Sequence, residues 1–400
     1  MEFQRRHALG GLGAVAALGW LRWLCRNSRR FPPSTAAVVM ATPSRESVSR
    51  VVVITGACGT LASTLITMLL EDTSVAIVAM DMLPDPVAFP NVERILYICG
   101  NSGCLEHMKV AILSGRSHFN APVVSIFAVA AQLPFVSMSL EQLLAANTSQ
   151  ATAAVEAAAA ESVPCMVFTS SASVVMRRDR LLIDGECGEL WPYPDPGEFV
   201  DDYAASKCAA ERIVLKANGR SLSNGGQLCT VSLRPSVIYG SNDKHLAQVR
   251  LQGRQNFVIG DPEEIVDFVW VDSVAWGHVL AFRSVLIRPE LGGRCFHICH
   301  GAPVSKGQFW GKIGESGKTL WGLREPWAVP FAIVQALAWV NESLHFLFGM
   351  CFNSTMRRDC IQYMGGRSWW FSDAVAKTEL GYAPLKSWED SIVTMRQSVA

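Results

Sequence analysis

"VVVITGACGTLAS" (51–63) decides the fold. An unbroken run of β-branched residues, Val51 to Thr55, leads straight into a glycine-containing turn. Such a run suits a strand covered on both faces, as in a parallel sheet. Gly56, Gly59 and Ala62 then occupy the tight-turn, phosphate-approach and close-packing positions of a dinucleotide fingerprint, and a helix is expected to open behind them. The next apolar run, "VAIVAM" (75–80), ends at Asp81. A carboxylate there can accept from both hydroxyls of an adenosine ribose and repels a 2′-phosphate. Met82 and Leu83 follow it rather than arginine, so the sequence favours NAD over NADP.

The pattern continues along the chain. "VVSIFAV" (123–129), "CMVFT" (165–169) and "LCTVSL" (228–233) read as further buried strands, with helical stretches near 60–71, 139–161 and 202–217. Alternation of this kind specifies an α/β fold, a Rossmann-type doubly wound parallel sheet. "CFHICH" (295–300) would place Cys295, His297 and Cys299 on one face of a strand. No second ligand cluster accompanies them, so a buried strand is expected there and no metal. Thirty-five basic residues balance thirty-five acidic ones, which leaves no global field to favour nucleic acid. The twelve cysteines form no CxxC pair and read as reduced thiols.

"FVDDYAASKCAAERIVL" (199–215) sets Tyr203 and Lys207 four residues apart in an amphipathic helical stretch, so both leave the same face. A tyrosine titrating near pH 10 is a poor base at neutral pH. An ammonium beside it and the positive ring of an oxidised nicotinamide would both lower its pKa, letting the phenolate take the proton of a substrate alcohol. "VFTSSASVV" (167–175) puts Ser170 and Ser171 at the carboxyl end of a strand, where such sheets meet ligand; alone, that pair also suits a cap or turn.

From about residue 50 to 398 the chain resembles the extended short-chain dehydrogenase/reductases, and within them the 3β-hydroxysteroid dehydrogenase family. The superfamily motifs are TGACGTLA (55–62), TSSASV (169–174), YAASK (203–207) with AAERIVL (209–215), and LRPSVIYG (233–240). FVIG (257–260) with IVDFVWVDSVAWGHVLA (265–281), LGGRCFHI (291–298) and AKTELGYAPLKSWED (376–390) are closer to the steroid branch, and most like its decarboxylating, 4α-carboxysterol members. The resemblance implies Tyr203 as general base, Lys207 as its electrostatic partner and ribose ligand, and Ser171 as the alcohol-positioning hydroxyl. It implies a role in the lysine's proton path for Asn147, which otherwise reads as a helix cap. Cofactor contacts are implied at Gly56, Cys58, Gly59, Thr60, Leu61, Asp81, Asn101 and Ala130, with Pro235 and Val237 at the nicotinamide carboxamide. The chain departs from the family in carrying Gly100-Asn101 for Gly-Asp, Ala128-Val129-Ala130 for His-x-Ala, and Gln150-Ala151 for Gly-Thr.

Residues 1–48 are rich in arginine and carry "ALGGLGAVAALGWL" (8–21), a run short of the roughly twenty residues a spanning helix needs. They read as a targeting or anchor segment, followed by a cofactor domain over 49–240 and a substrate-binding region over 241–400 interleaved with it. Within the latter, "PFAIVQALAWVNESLHFLFGMCF" (330–352) is nearly apolar, yet Gln335, Asn341, Glu342 and His345 fall in one helical sector. That favours a helix lying at a membrane interface or packed on its own domain over one surrounded by lipid. The expected partners are a sterol or steroid, a membrane surface and a second copy of the chain. The expected location is the endoplasmic reticulum membrane with the catalytic domain facing the cytosol, or an organelle addressed through residues 1–48. Three functions stay open: a sterol dehydrogenase losing CO2, a 3β-hydroxy-Δ5-steroid dehydrogenase/isomerase, and a nucleotide-sugar epimerase or dehydratase.

Overall fold

The apolar runs fold as inner strands of one sheet. A computed structural model describes residues 38–40, 48–84, 92–134, 137–178, 191–241, 257–314, 327–351, 356–365 and 368–398. The expected anchor run at 8–21 lies outside them. Strand β1 (Val38–Met40), inside the stretch set apart as N-terminal, pairs antiparallel at the sheet edge with the strand Ile95–Cys99. The rest of the sheet is parallel: β2 (Arg50–Thr55), β3 (Val75–Asp81), β4 (Ile95–Cys99), β5 (Val123–Ala128), β6 (Cys165–Thr169), β7 (Cys229–Pro235) and β12 (Arg294–Ile298). Its order is β1-β4-β3-β2-β5-β6-β7-β12. The winding therefore runs outward from β2 through β3 and β4, then restarts on the other side with β5. The crevice between the ends of β2 and β5 is the switch point at which such sheets receive ligand.

Helices cover both faces, which is why Val51 to Ile54 are wholly buried. On one side α2 (Leu105–Phe119), α3 (Leu140–Ala160) and α4 (Asp202–Lys216) pack in sequence; on the other α1 (Thr60–Leu69) packs against α5 (Val271–Ile287). The alanines of 151–160 allow close approach of α3 to α4, and Ala151, Ala154, Ala157 and Ala158 are buried. Three short ladders lie beyond the carboxyl edge: β8 (Val237–Tyr239) with β11 (Phe268–Trp270), β9 (Phe257–Ile259) with β14 (Trp327–Val329), and β10 (Ile265–Val266) with β13 (Val304–Ser305). With α6 (Lys306–Gly314) they enclose a second core in which Phe268 stacks on Phe309 at 3.8 Å.

Helix α7 (Phe331–Phe348) is the one described helix long and apolar enough to cross a membrane. Its polar sector faces inward. Asn341 Nδ2 donates to Met356 O at 2.9 Å, Gln335 Nε2 to Arg358 O at 3.1 Å, and Glu342 accepts from Arg358 Nε at 2.6 Å, at the start of α8 (Arg358–Met364). The outward face is apolar, with Ile333, Leu337, Trp339, Val340, Phe346, Leu347 and Phe348 exposed. Two further helices, α9 (Ala374–Leu380) and α10 (Trp388–Gln397), close the chain.

Candidate active site

The glycine turn after β2 needs glycine for two separate reasons. Gly56 has φ of +71°, a region L side chains avoid, and a β-carbon on it would sit 2.9 Å from the Cα of Ala130 at the exit of β5. Thr55 Oγ1 ties the two exits together by accepting from the N–H groups of Val129 and Ala130, both at 3.1 Å. Asp81 meets the turn from the β3 side: its carboxylate accepts from Cys58 N–H at 3.0 Å and from Leu83 N–H at 3.2 Å. A close-approach glycine turn, a helix N-terminus at Thr60 and the carboxylate of Asp81 thus stand together. These residues fit a dinucleotide. Gly59 is exposed, and Cys58, Thr60 and Leu61 are partly exposed along the same rim. Asn101 sits on the far rim, where its Oδ1 already accepts from Gly103 N–H at 2.8 Å; the second lone pair of that oxygen is what an adenine amino group could use.

The residues expected to be catalytic stand on β6 and α4 and the turn between them. Asp201 caps α4 by accepting from Ala204 N–H at 2.6 Å, and burial pushes its carboxyl up to about 7. Tyr203 lies in the first turn and Lys207 one turn on. The Lys207 ammonium is 1% exposed, donates to the Thr169 carbonyl at 2.6 Å and lies 4.3 Å from the centre of the Phe168 ring. It therefore ties α4 to the end of β6, two residues before Ser171. Ser171 Oγ accepts from Ser173 N–H at 3.2 Å and lies 2.8 Å from Ser173 Oγ, so it also caps the 3-10 turn Ala172–Val175 that packs against α4. The cap reading of this serine is thus the one its bonds show. The Tyr203 hydroxyl has no hydrogen-bond partner among the described residues.

Two expectations change. Asn147 is no helix cap: Ser139 caps α3, while the buried Asn147 brackets the peptide of Gln132, accepting from its N–H at 2.8 Å and donating to its carbonyl at 3.1 Å. A third bond, Nδ2 to Ser206 Oγ at 2.9 Å, joins it to α4 beside Lys207. The protein alone also does not depress the phenol of Tyr203. Burial raises its pKa first and the Asp201 charge adds to that, while burial pushes Lys207 down to about 7 against the opposing pull of Glu211. On the far wall Pro235 is buried at the end of β7 and Val237 begins β8, its N–H donating to Asp267 O at 3.1 Å.

Sequence reasoning missed a buried ion pair beneath the site. Glu211, one further turn along α4, accepts from Arg234 Nη2 at 2.6 Å, Arg234 Nε at 3.0 Å, Ser232 Oγ at 2.7 Å and the Tyr193 hydroxyl at 2.7 Å. The spacing 203, 207, 211 on one helical face was the available signal. Thr169 and His278 were also missed; their bond, 2.7 Å between Oγ1 and Nε2, had no sequence signature.

Residues 53–317 match the 3-beta hydroxysteroid dehydrogenase/isomerase family. The chain belongs to that family. Among its relatives, short-chain dehydrogenase/reductase family 42E member 1 of Mus musculus is 29% identical over 73% of this chain and 74% of its own. Its Danio rerio counterpart is 30% identical over 71% and 69%. Among solved structures, the UDP-glucose 4-epimerase of Thermotoga maritima with UDP-glucose superposes with a TM-score of 0.61 at 18% identity, covering 87% of this chain and 98% of its own. That of Thermus thermophilus, in complex with NAD, gives 0.61 at 20% identity over the same shares. At such identities the likeness shows the fold alone.

Proposed function

We propose that this family member is an NAD-dependent dehydrogenase oxidising the 3β-hydroxyl of a sterol, a 4α-carboxysterol that then loses CO2. The observation that carries the reading is the bond from Lys207 to the Thr169 carbonyl, which closes the Tyr203 face of α4 onto the strand end bearing Ser171. NAD suits the cradle of Gly56, Cys58, Gly59, Thr60, Leu61 and Asp81, and when bound supplies the acceptor for the hydride of the substrate carbinol. Asp81 offers its carboxylate to the ribose hydroxyls and refuses a 2′-phosphate. Ser171 Oγ donates to the substrate oxygen and orients it. Tyr203 takes the hydroxyl proton, and the two ammonium hydrogens of Lys207 not given to Thr169 are free for ribose hydroxyls. Asn147 holds Gln132 and Ser206 in place around these groups.

The product of that oxidation is a 3-ketone whose 4-carboxylate is a β-keto acid. Its carbonyl accepts the electron pair of the breaking C–C bond, so CO2 leaves without a further acid or base. The outward apolar face of α7 supports a substrate drawn from a lipid phase and attachment at a membrane surface, with the endoplasmic reticulum as the proposed site. A sugar diphosphate, by contrast, asks for cationic clamps. The test supplies full-length protein with NAD+ and, separately, a 4α-carboxysterol, a plain Δ5-3β-hydroxysteroid and a UDP-hexose. NADH and CO2 should form with the first, and Tyr203→Phe should slow turnover at least about a hundredfold while still binding NAD+. Turnover of either other substrate with none of the first would overturn the reading.

A further inference from the structure

Lys207 is held by a peptide group, and that peptide group is itself held. The unit joining Thr169 to Ser170 accepts from Lys207 Nζ through its carbonyl and donates its N–H to Leu233 O at 2.7 Å. The Thr169 hydroxyl adds a third restraint through His278 on α5, a helix on the opposite face of the sheet from α4. His278 is fully buried, and its Nδ1 lies 2.8 Å from the carbonyl of Val274. A carbonyl only accepts, so Nδ1 carries the proton and Nε2 is left as acceptor. The Thr169 hydroxyl must then donate to Nε2. Burial pushes His278 down to about 4, so that acceptor survives throughout the neutral range. The chain of bonds runs from Val274 through His278 and Thr169 to Lys207, crossing the sheet at distances of 2.8, 2.7 and 2.6 Å.

We propose that His278 is a positioning residue for Lys207, acting through the Thr169 hydroxyl to fix the carbonyl that receives the ammonium. An ammonium has three donors and a flexible four-carbon stem, so its direction is set by whatever accepts from it. A carbonyl locked in angle commits one donor and leaves the other two pointing into the site. The same lock fixes the strand end from which Ser170 and Ser171 leave. A histidine serving only to fill space would need no acceptor facing Thr169. The idea rests on the proposed role of Lys207, but its first test requires no substrate.

That test is the rate at which a small acylating reagent labels Lys207 in the full-length protein, followed by peptide mass spectrometry. Thr169→Val keeps the shape and removes the hydroxyl; His278→Leu removes the acceptor; His278→Gln restores an acceptor oxygen near the Nε2 position. Loss of one hydrogen bond from the chain should speed labelling by about threefold to tenfold in the Val and Leu variants. His278→Gln should stay within about threefold of the parent. The double variant Thr169→Val/His278→Leu should be no worse than the worse single, since both break one chain. Once a substrate is in hand, kcat should fall by a similar factor with the sterol KM unchanged. Unchanged labelling in His278→Leu alongside a lowered thermal midpoint, or fully additive effects, would overturn the proposal and leave His278 as packing. Should none of the three substrates turn over, the functional reading fails while the labelling result stands by itself.

Discussion

Exchanging Glu211 for glutamine keeps the shape of the side chain but removes its buried charge. Both carboxylate oxygens are surrounded by donors: Arg234 Nε and Nη2, Ser232 Oγ and the Tyr193 hydroxyl. A glutamine must aim its NH2 at one set of them, turning an acceptor into a donor facing donors. The Arg234 charge, 1% exposed, would remain without a counter-ion. Breaking a buried pair from one side costs about 3–5 kcal/mol. At about 2.1 cal/mol/K of unfolding entropy per residue, a chain of 400 residues shifts by roughly 1.2 °C per kcal/mol, so the thermal midpoint should fall by about 4–6 °C. Replacing both partners, Glu211→Leu with Arg234→Met, removes both charges and should lose less than Glu211→Gln alone, even with two hydroxyls left unpaired. Near-ultraviolet circular dichroism of detergent-solubilised protein gives all three midpoints. There is also a pH signature. Glu211 opposes the burial that lowers the Lys207 pKa, so its neutralisation pushes that pKa further below about 7. The ammonium is present below its pKa and lost as pH rises through it, so the alkaline decline in activity should begin at lower pH in Glu211→Gln. A midpoint loss worth under about 1 kcal/mol, or a double variant worse than the single, would refute the reasoning.

The cofactor turn offers two sharper perturbations. Gly56→Ala adds left-handed strain of about 1–2 kcal/mol to a β-carbon 2.9 Å from the Ala130 backbone, so NAD+ affinity by fluorescence titration should drop at least about tenfold; an unchanged Kd would show that the turn does not touch the cofactor. Asp81→Asn keeps an acceptor for Cys58 N–H and removes the charge, so the preference for NAD+ over NADP+ should narrow by about tenfold or more. A parent enzyme faster with NADP+ would contradict that assignment.

The sequence made the fold legible where local signals and global placement agree. Val51–Thr55, Cys165–Thr169 and the helix over 202–217 came within a residue or two of their observed bounds because buried parallel strands and amphipathic helices carry strong periodic patterns. Helix α2 is hard to read from the sequence because it buries only a thin stripe of Met108, Ala111, Ile112, Gly115 and Phe119. In the site, Tyr203 and Lys207 were readable because a helix converts spacing into a shared face. The group that receives Lys207 was not, since a backbone carbonyl has no sequence signature. The polar sector of α7 was visible as a stripe, but its direction was not. Only the segment it grips, Met356 to Arg358, shows that the stripe turns inward and the apolar face outward.

These contacts together explain why so much of the chain converges on one helix. At its N-terminus α4 is capped by Asp201, while Arg357 grips Asp202 and also donates to Met138 O at 2.7 Å and Asp359 Oδ1 at 2.9 Å. In its middle Lys207 is tied to β6, and Ser206 to α3 through Asn147. One turn further Glu211 is tied to β7 through Arg234. Tyr203 makes none of these bonds, yet lies between them. A base that must meet a substrate oxygen within hydrogen-bond reach gains most when its own backbone cannot drift, because small misplacements cost rate steeply. Every clamp grips a neighbour of Tyr203 and leaves its hydroxyl uncommitted, which suits the role of proton acceptor proposed for it.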